Sequence, residues 1–97
     1  MQLLTKALRK RLPALYSQDG KGKEAVIVVK FFTPWAGWTW YATEFDGDDT
    51  FFGLVDGHEK ELGNFSLSEL ESVKGPFGLT IERDRYWDEK TIREVTN

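Results

Sequence analysis

The sequence predicts an α+β fold, an antiparallel meander sheet of four or five strands packed with an N-terminal helix and a short second helix. Three observations predict this fold. Apolar residues in the first fifteen positions follow helical spacing. Runs rich in β-branched and aromatic residues at 24–33, 38–45 and 51–55 are separated by short turns, which can join only antiparallel strands. A helix-capping pattern follows the last strand. The length predicts a single domain, 1–97.

The N-terminal helix is predicted over residues 5–12. Leu4 and Leu8 belong to its apolar stripe, and Thr5 can cap its first turn. Pro13 should end it, because the residue before a proline avoids helical backbone angles. This helix is expected to cover one face of the sheet.

The first strand, 24–33, is apolar on both faces and is therefore predicted to be central. Thr33–Gly37 supplies a turn through its proline and glycine. The second strand, Trp38–Phe45, alternates, so its side chains are predicted to divide between two faces. Trp38, Trp40, Ala42 and Glu44 are expected on one face, and Thr39, Tyr41, Thr43 and Phe45 on the other.

After the turn at Asp46–Asp49, the third strand is predicted at 51–55 and a fourth near 61–65. Ser66 and Glu69 then match a capping box, and Phe65 and Leu70 can form its hydrophobic staple. The helix is predicted over 67–74, ending at Gly75-Pro76. A short strand at 79–82 and a last helical turn capped by Asp88 complete the expected elements.

Composition limits the possible functions. The chain has no cysteine, so disulfides and thiolate metal sites are excluded. No apolar run approaches the roughly 20 residues of a membrane span, and the basic start lacks a cleavable signal pattern, so a cytoplasmic location is expected. Residues 1–43 carry a charge of +5 and residues 44–72 a charge of −8. Folding can interleave these segments into a solvated surface of mixed sign, which is the common outcome; the alternative is an acidic face that meets a basic partner.

Specific catalytic and metal-binding motifs are missing. His58, the only histidine, lies in a polar turn. The carboxylates of Asp46, Asp48 and Asp49 share one turn, but the sixth and twelfth positions of a calcium loop would be Phe51 and Gly57. Turn chemistry explains the aspartates. We therefore expect no cofactor, no metal site and no enzymatic activity.

The aromatic cluster is the best functional candidate. Our hypothesis is a protein-interaction surface formed by Trp35, Trp38, Asp46, Asp48 and Asp49. Trp35 is expected to be its most exposed ring because it lies in a turn. A purely structural interpretation places the rings in the core.

Two further functions remain open. A single-stranded nucleic-acid binder would stack bases on Trp38, Trp40 and Tyr41 and hold phosphates with Arg9, Lys10 and Arg11. A small enzyme is the third possibility. The charged stretch Glu82–Trp87 fits either a polar site or an edge strand protected by its charges.

Several stretches together resemble the domain-of-unknown-function family 2958. They are LLT..LR.RLP.LYSQ, KFFTP...WTWYATEFD, FFGLV, ELG.FSLSEL and GLTIERD.YW, which span Leu3 to about Glu94. The resemblance implies a small protein of bacterial plasmids, conjugative elements or phages, in which no catalytic residue is defined. In that setting, the nine acidic residues of 44–72 suggest a host or element-encoded protein partner, one version being a host defence enzyme that this protein inhibits. The lack of a long apolar run predicts no membrane association.

Overall fold

The computed structural model describes residues 2–96 and confirms the α+β fold. Five strands form an antiparallel sheet in the order β5-β4-β3-β2-β6, and β1 pairs with β7 in a separate two-stranded ladder. Within these residues, no helix combines the length and apolarity needed to cross a bilayer. The elements are α1 (Lys6–Arg11), β1 (Val26–Ile27), β2 (Val29–Phe32), β3 (Thr39–Phe45), β4 (Thr50–Asp56), β5 (Lys60–Ser66), α2 (Leu67–Ser72), β6 (Glu82–Arg83), β7 (Lys90–Thr91) and α3 (Ile92–Thr96).

Helix α1 begins and ends as its sequence predicts. The Thr5 hydroxyl accepts a hydrogen bond from the Leu8 amide at 3.2 Å, and the Leu12 amide closes the last turn on the Leu8 carbonyl at 3.0 Å. Leu4 and Leu12 are buried in the main core cluster, where Leu8 also packs. The helix therefore covers one face of the sheet, as expected.

A β-bulge at Thr43 corrects the predicted faces of the second strand. Ala42 pairs with Gly53, but Glu44 pairs with Phe52, so Thr43 is an extra residue in the ladder. One extra residue reverses the alternation beyond it. Phe45 consequently lies on the same face of the sheet as Trp40 and Ala42, and Glu44 lies on the opposite face. The prediction was wrong for Glu44 and Phe45 because alternation alone cannot reveal a bulge.

The redirected Glu44 carboxylate holds the loop before the first strand. Glu44 is only 3% exposed, and its two oxygens accept hydrogen bonds from the Tyr16 and Gln18 amides, each at 2.8 Å. The Gln18 side chain donates to the Thr43 carbonyl at 2.8 Å and accepts from the Val26 amide at 2.8 Å. Charge-assisted bonds of this kind offset much of the cost of burying a carboxylate.

The sheet carries a core cluster on each face. The larger one, under α1 and α2, includes Phe31, Phe45 and Phe51. The smaller one contains Ala25, Ile27, Leu54 and Ile92. The Trp87 indole closes its rim by donating to the Ile27 carbonyl at 3.0 Å.

The later elements differ from prediction in their boundaries. Helix α2 begins at the predicted Ser66 cap, whose hydroxyl accepts from the Glu69 amide at 3.3 Å, but it ends at Ser72. The predicted strand 79–82 is instead β6, two residues long and paired with β2 at the sheet edge. This confirms the edge-strand interpretation of Glu82–Trp87 for its first two residues only.

Helix α3 is capped by Thr91, not by Asp88. The Thr91 hydroxyl accepts from the Glu94 amide at 3.3 Å, and Thr91 itself pairs with Val26. Pairing of β7 with β1 keeps the backbone extended up to Thr91, so the helix cannot begin near Asp88.

We predict that Glu44→Gln lowers the free energy of unfolding by about 2–3 kcal/mol, because one acceptor oxygen facing a buried amide is replaced by a donor. Urea unfolding measures this loss. Asp48→Asn makes the same charge change at an exposed position and should alter stability by less than about 0.5 kcal/mol. Equal losses in the two variants would contradict the role of Glu44.

Candidate functional site

Trp38 and Trp40 form a partly buried pair on the face of the sheet that carries the main core cluster, at the start of β3. Their rings stack with centroids 5.9 Å apart and planes 26° apart. Trp40 also packs against the main core cluster, whereas Trp38 lies outside it. The Trp38 ring rests on Gly57, where an added Cβ would lie 2.3 Å from a ring atom. The observed position of the Trp38 ring therefore requires glycine at position 57.

Carboxylates border this pair. Trp40, Val55 and Glu61 are aligned across three neighbouring strands, so their side chains share one face. His58 meets the Trp38 ring edge-on at 5.4 Å. We define the tryptophan–glutamate pocket as the open depression of about 320 Å³ lined by Trp38, Val55, His58, Glu59 and Glu61.

The pocket has the chemistry of a cation site. Glu59 and Glu61 are exposed, and neither forms an ion pair with any residue from 2 to 96. The face of an indole attracts Arg or Lys, at about 0.5–2 kcal/mol per contact. A cation beside Trp38 would therefore meet both an aromatic ring and free carboxylates.

The predicted Asp46 is used by its own turn. One carboxylate oxygen accepts hydrogen bonds from the Asp48, Asp49 and Thr50 amides at 2.8, 2.9 and 3.1 Å. These bonds, that of Asp48 foremost, lower the pKa of Asp46 from its ordinary 3.8.

The predicted Asp49 ties the same turn to α2. Its carboxylate accepts from the Ser66 hydroxyl at 2.5 Å and from the Ser68 amide at 2.8 Å, and its backbone carbonyl accepts from the Leu67 amide at 2.8 Å. The Ser66 hydroxyl is the main cause that lowers the pKa of Asp49. Of the three aspartates, only Asp48 has an exposed carboxylate without a partner in the described chain.

The predicted aromatic and acidic residues do not form one continuous patch. Trp38 precedes β3 and Asp46 follows it, so the seven-residue strand separates them by about 25 Å. Trp35, expected to be the most exposed ring, is partly buried, as Trp38 and Trp40 are. It packs against the main core cluster and lies over Gly75, where an added Cβ would be 2.5 Å from the ring.

The residues of the nucleic-acid hypothesis are dispersed. Tyr41 lies on the opposite face from Trp40 and packs against Trp87 at 5.8 Å. The Arg9 guanidinium lies 5.4 Å from the Phe45 ring, and Arg11 pairs with Glu89. Lys10 is exposed. The rings and cations therefore do not line a common groove.

Sequence reasoning missed Glu59 and Glu61 as site residues. Their signal lies in the strand pairing: the turn at Gly57 folds β5 back along β4, so alternate residues of β5 share the face of Trp40.

Sequence reasoning also missed Phe77. Its side chain is fully exposed at the tip of a loop that is closed by a hydrogen bond from the Gly75 amide to the Leu79 carbonyl. Among residues 2–96, no group of three or more His, Asp or Glu side chains is arranged to hold a metal ion.

Comparison with known families agrees with the resemblance. The family described as protein of unknown function (DUF2958) matches residues 3–94. The chain belongs to this family. No curated protein and no solved structure matches this chain. The DUF2958 description assigns no activity, so a function must be argued from the geometry.

We predict that Gly57→Ala displaces the Trp38 ring, because the new methyl group would overlap it. Near-ultraviolet circular dichroism and tryptophan emission should both change. Gly63→Ala is the matched control on the adjacent strand, since nothing lies within 4 Å of its added Cβ. Identical spectra for the two variants would show that Gly57 does not position the ring.

We also predict an acid-dependent loss of stability from Asp46 and Asp49. Both pKa values are lowered by folding, so their stabilisation is complete above the ordinary pKa of 3.8 and is lost as pH falls through the folded values. Unfolding midpoints measured in urea at decreasing pH should decline less steeply in Asp49→Asn than in wild type. Asp48→Asn should retain the wild-type slope, and a flattened slope there would contradict the assignment.

Proposed function

We propose that this DUF2958 protein is a non-enzymatic interaction protein that binds a basic side chain of a protein partner in the tryptophan–glutamate pocket. The observation that carries the proposal is a half-exposed indole beside two glutamates without ion-pair partners in residues 2–96. Interfaces commonly place tryptophan at their energetic centre. The pocket supplies such a centre with an electrostatic preference for Arg or Lys.

Magnitudes indicate a partner that makes several contacts. One cation–π contact contributes about 0.5–2 kcal/mol, and an exposed ion pair about 0–1 kcal/mol. A micromolar complex requires about 8 kcal/mol. The pocket therefore selects one basic side chain within a larger interface.

Long-range charge supports the same partner. Residues 44–72 carry a charge of −8 and include both the pocket and the aspartate turn. An acidic surface accelerates encounter with a basic protein and weakens contact with phosphates. This acidity disfavours the nucleic-acid hypothesis.

We assign His58 a role in binding and none in catalysis. His58 is exposed, and its ring contacts Trp38. An edge-on histidine in this position contributes surface to the pocket.

The resemblance supports a setting for this activity. We place the protein in the cytoplasm of a bacterium that hosts a plasmid, conjugative element or phage. Its partner is then a protein of the host or of the element. One version is inhibition of a host defence enzyme, in which the carboxylates occupy a basic groove built for nucleic-acid phosphates.

We predict that a basic protein captured from host lysate by the wild type is lost with Trp38→Ala and with the double change Glu59→Gln and Glu61→Gln. Capture should also fall as salt rises, because the contacts are partly ionic. Quantitative mass spectrometry of the captured proteins measures the change. Asp48→Asn is the control, since it removes one exposed charge about 25 Å from the pocket.

Three results would reject the proposal. The first is capture that is unchanged in the pocket variants. The second is equal loss in Asp48→Asn, which would indicate nonspecific charge attraction. The third is binding of a single-stranded oligonucleotide that quenches tryptophan emission and depends on Trp38, which would favour the nucleic-acid hypothesis.

A further inference from the structure

Strand β5 leaves one full side open. It lies at the edge of the sheet, pairs with β4 through all seven of its residues, and has no strand on its other side within residues 2–96. The opposite edge, β6, is only two residues long. β5 is therefore the longer free edge of this sheet.

The hydrogen bonds at the two ends of β5 show which of its residues face outward. The Leu67 amide donates to the Asp49 carbonyl, and the Gly57 amide donates to the Glu59 carbonyl. Both contacts fit the register of the β4–β5 ladder. Because bonding direction alternates in an antiparallel pair, Glu61, Gly63 and Phe65 bond to β4. Lys60, Leu62 and Asn64 then present their amides and carbonyls to solvent.

The open edge lacks two common protections against strand addition, a proline and a β-bulge. It contains no proline, and its ladder with β4 is unbroken. Leu62, at its centre, is an exposed apolar residue with 55% of its surface accessible. Such an edge is a template for another extended chain.

Charge along this edge favours one kind of occupant. Glu59 and Glu61 lie at one end, and Glu69 lies near the other, where its amide donates to the Ser66 hydroxyl. Lys60 is the only cation in β5 itself. A basic chain is therefore attracted along the whole strand.

We propose that an extended basic segment of the protein partner adds to β5 as a sixth, antiparallel strand. This inference rests on the proposed function and specifies how the basic side chain reaches the pocket. A partner residue opposite Glu61 lies on the face of Trp40, with its side chain beside the tryptophan–glutamate pocket. Antiparallel addition is the more stable geometry and continues that of the sheet.

A second copy of this chain fits the edge less well. Full two-fold overlap of β5 with itself would place Lys60 opposite Ser66 and Glu61 opposite Phe65, so no carboxylate would meet a cation. Each copy would also bring its own acidic edge against the other, and like charges repel.

The test uses a labelled seven-residue peptide of alternating arginine and valine, measured by fluorescence anisotropy. With arginines on the pocket face, the valine amides point toward β5 and the arginine amides point away. N-methylation of the valine amides should weaken binding about tenfold or more, because it removes several backbone hydrogen bonds. N-methylation of an equal number of arginine amides gives a peptide of the same charge and mass and should change affinity less than about twofold.

Protein variants give a second readout. Leu62→Pro removes an outward amide, which an edge strand tolerates, and should weaken binding of the unmodified peptide about tenfold. Leu62→Ala loses the same side chain but keeps the amide, so it should bind nearly as wild type. Circular dichroism verifies that both variants fold. If Leu62→Pro does not fold, the methylated peptides still test strand addition on the wild-type protein.

The outcomes separate the two proposals. Binding that requires Glu61 and Trp38 but is equally sensitive to both methylation patterns overturns strand addition and leaves the pocket intact. Reversed sensitivity overturns the antiparallel direction. Peptide affinity that is unchanged in the Trp38 and Glu61 variants, or no binding of the peptide at all, overturns the proposed function as well. A wild-type dimer in sedimentation that Leu62→Pro converts to monomer would assign the edge to a second copy.

Discussion

The arrangement of this protein depends on the buried carboxylate of Glu44 and on the bulge that aims it. The extra residue at Thr43 rotates the end of β3 so that Phe45 enters the large core and Glu44 faces the other way. There the carboxylate binds two backbone amides of the loop that follows α1. Without the bulge, an anion would lie in the phenylalanine core and Phe45 would lie where these amides need an acceptor. The connection between the N-terminal helix and the sheet thus depends on one inserted residue.

The acidic half of the chain divides its carboxylates between two tasks. Asp46 and Asp49 accept hydrogen bonds from backbone amides and serine hydroxyls at a turn, so they stabilise that turn and the start of α2. Glu59 and Glu61 lie on or beside an edge strand, and their carboxylates accept no hydrogen bond from residues 2–96. The difference is positional, because all four are ordinary carboxylates. Those without donors remain available to a partner, and this is why the pocket and the open edge coincide.

The tryptophans divide in a similar way. Trp35 and Trp40 pack against the main core and contribute to stability, while Trp38 rests on Gly57 outside that core. A half-exposed indole with a rigid seat loses little conformational freedom on binding, which favours recognition. The partner surface that we propose therefore needs only one of the three clustered rings, with edge backbone and carboxylates supplying the remaining contacts.

Local patterns predicted much of the secondary structure. The Thr5 cap and Pro13 predicted α1, and Ser66 predicted the start of α2. Alternation predicted β3, and apolar runs between turns predicted β4 and β5, because each signal depends on neighbours within a few positions. The end of the chain was predicted less well. The backbone near Asp88 is fixed by β7, whose partner Val26 is more than sixty positions away.

The candidate site shows the same division. The sequence by itself determined the antiparallel α+β class, the clustering of aromatic residues and the acidity of residues 44–72. Only the tertiary structure decided that Trp38 is accompanied by Glu59 and Glu61, and that Asp46 and Asp49 serve the turn. The physical reason is register: which side chains share a face depends on pairing across strands and on a bulge, and neither is encoded in the spacing of a single strand.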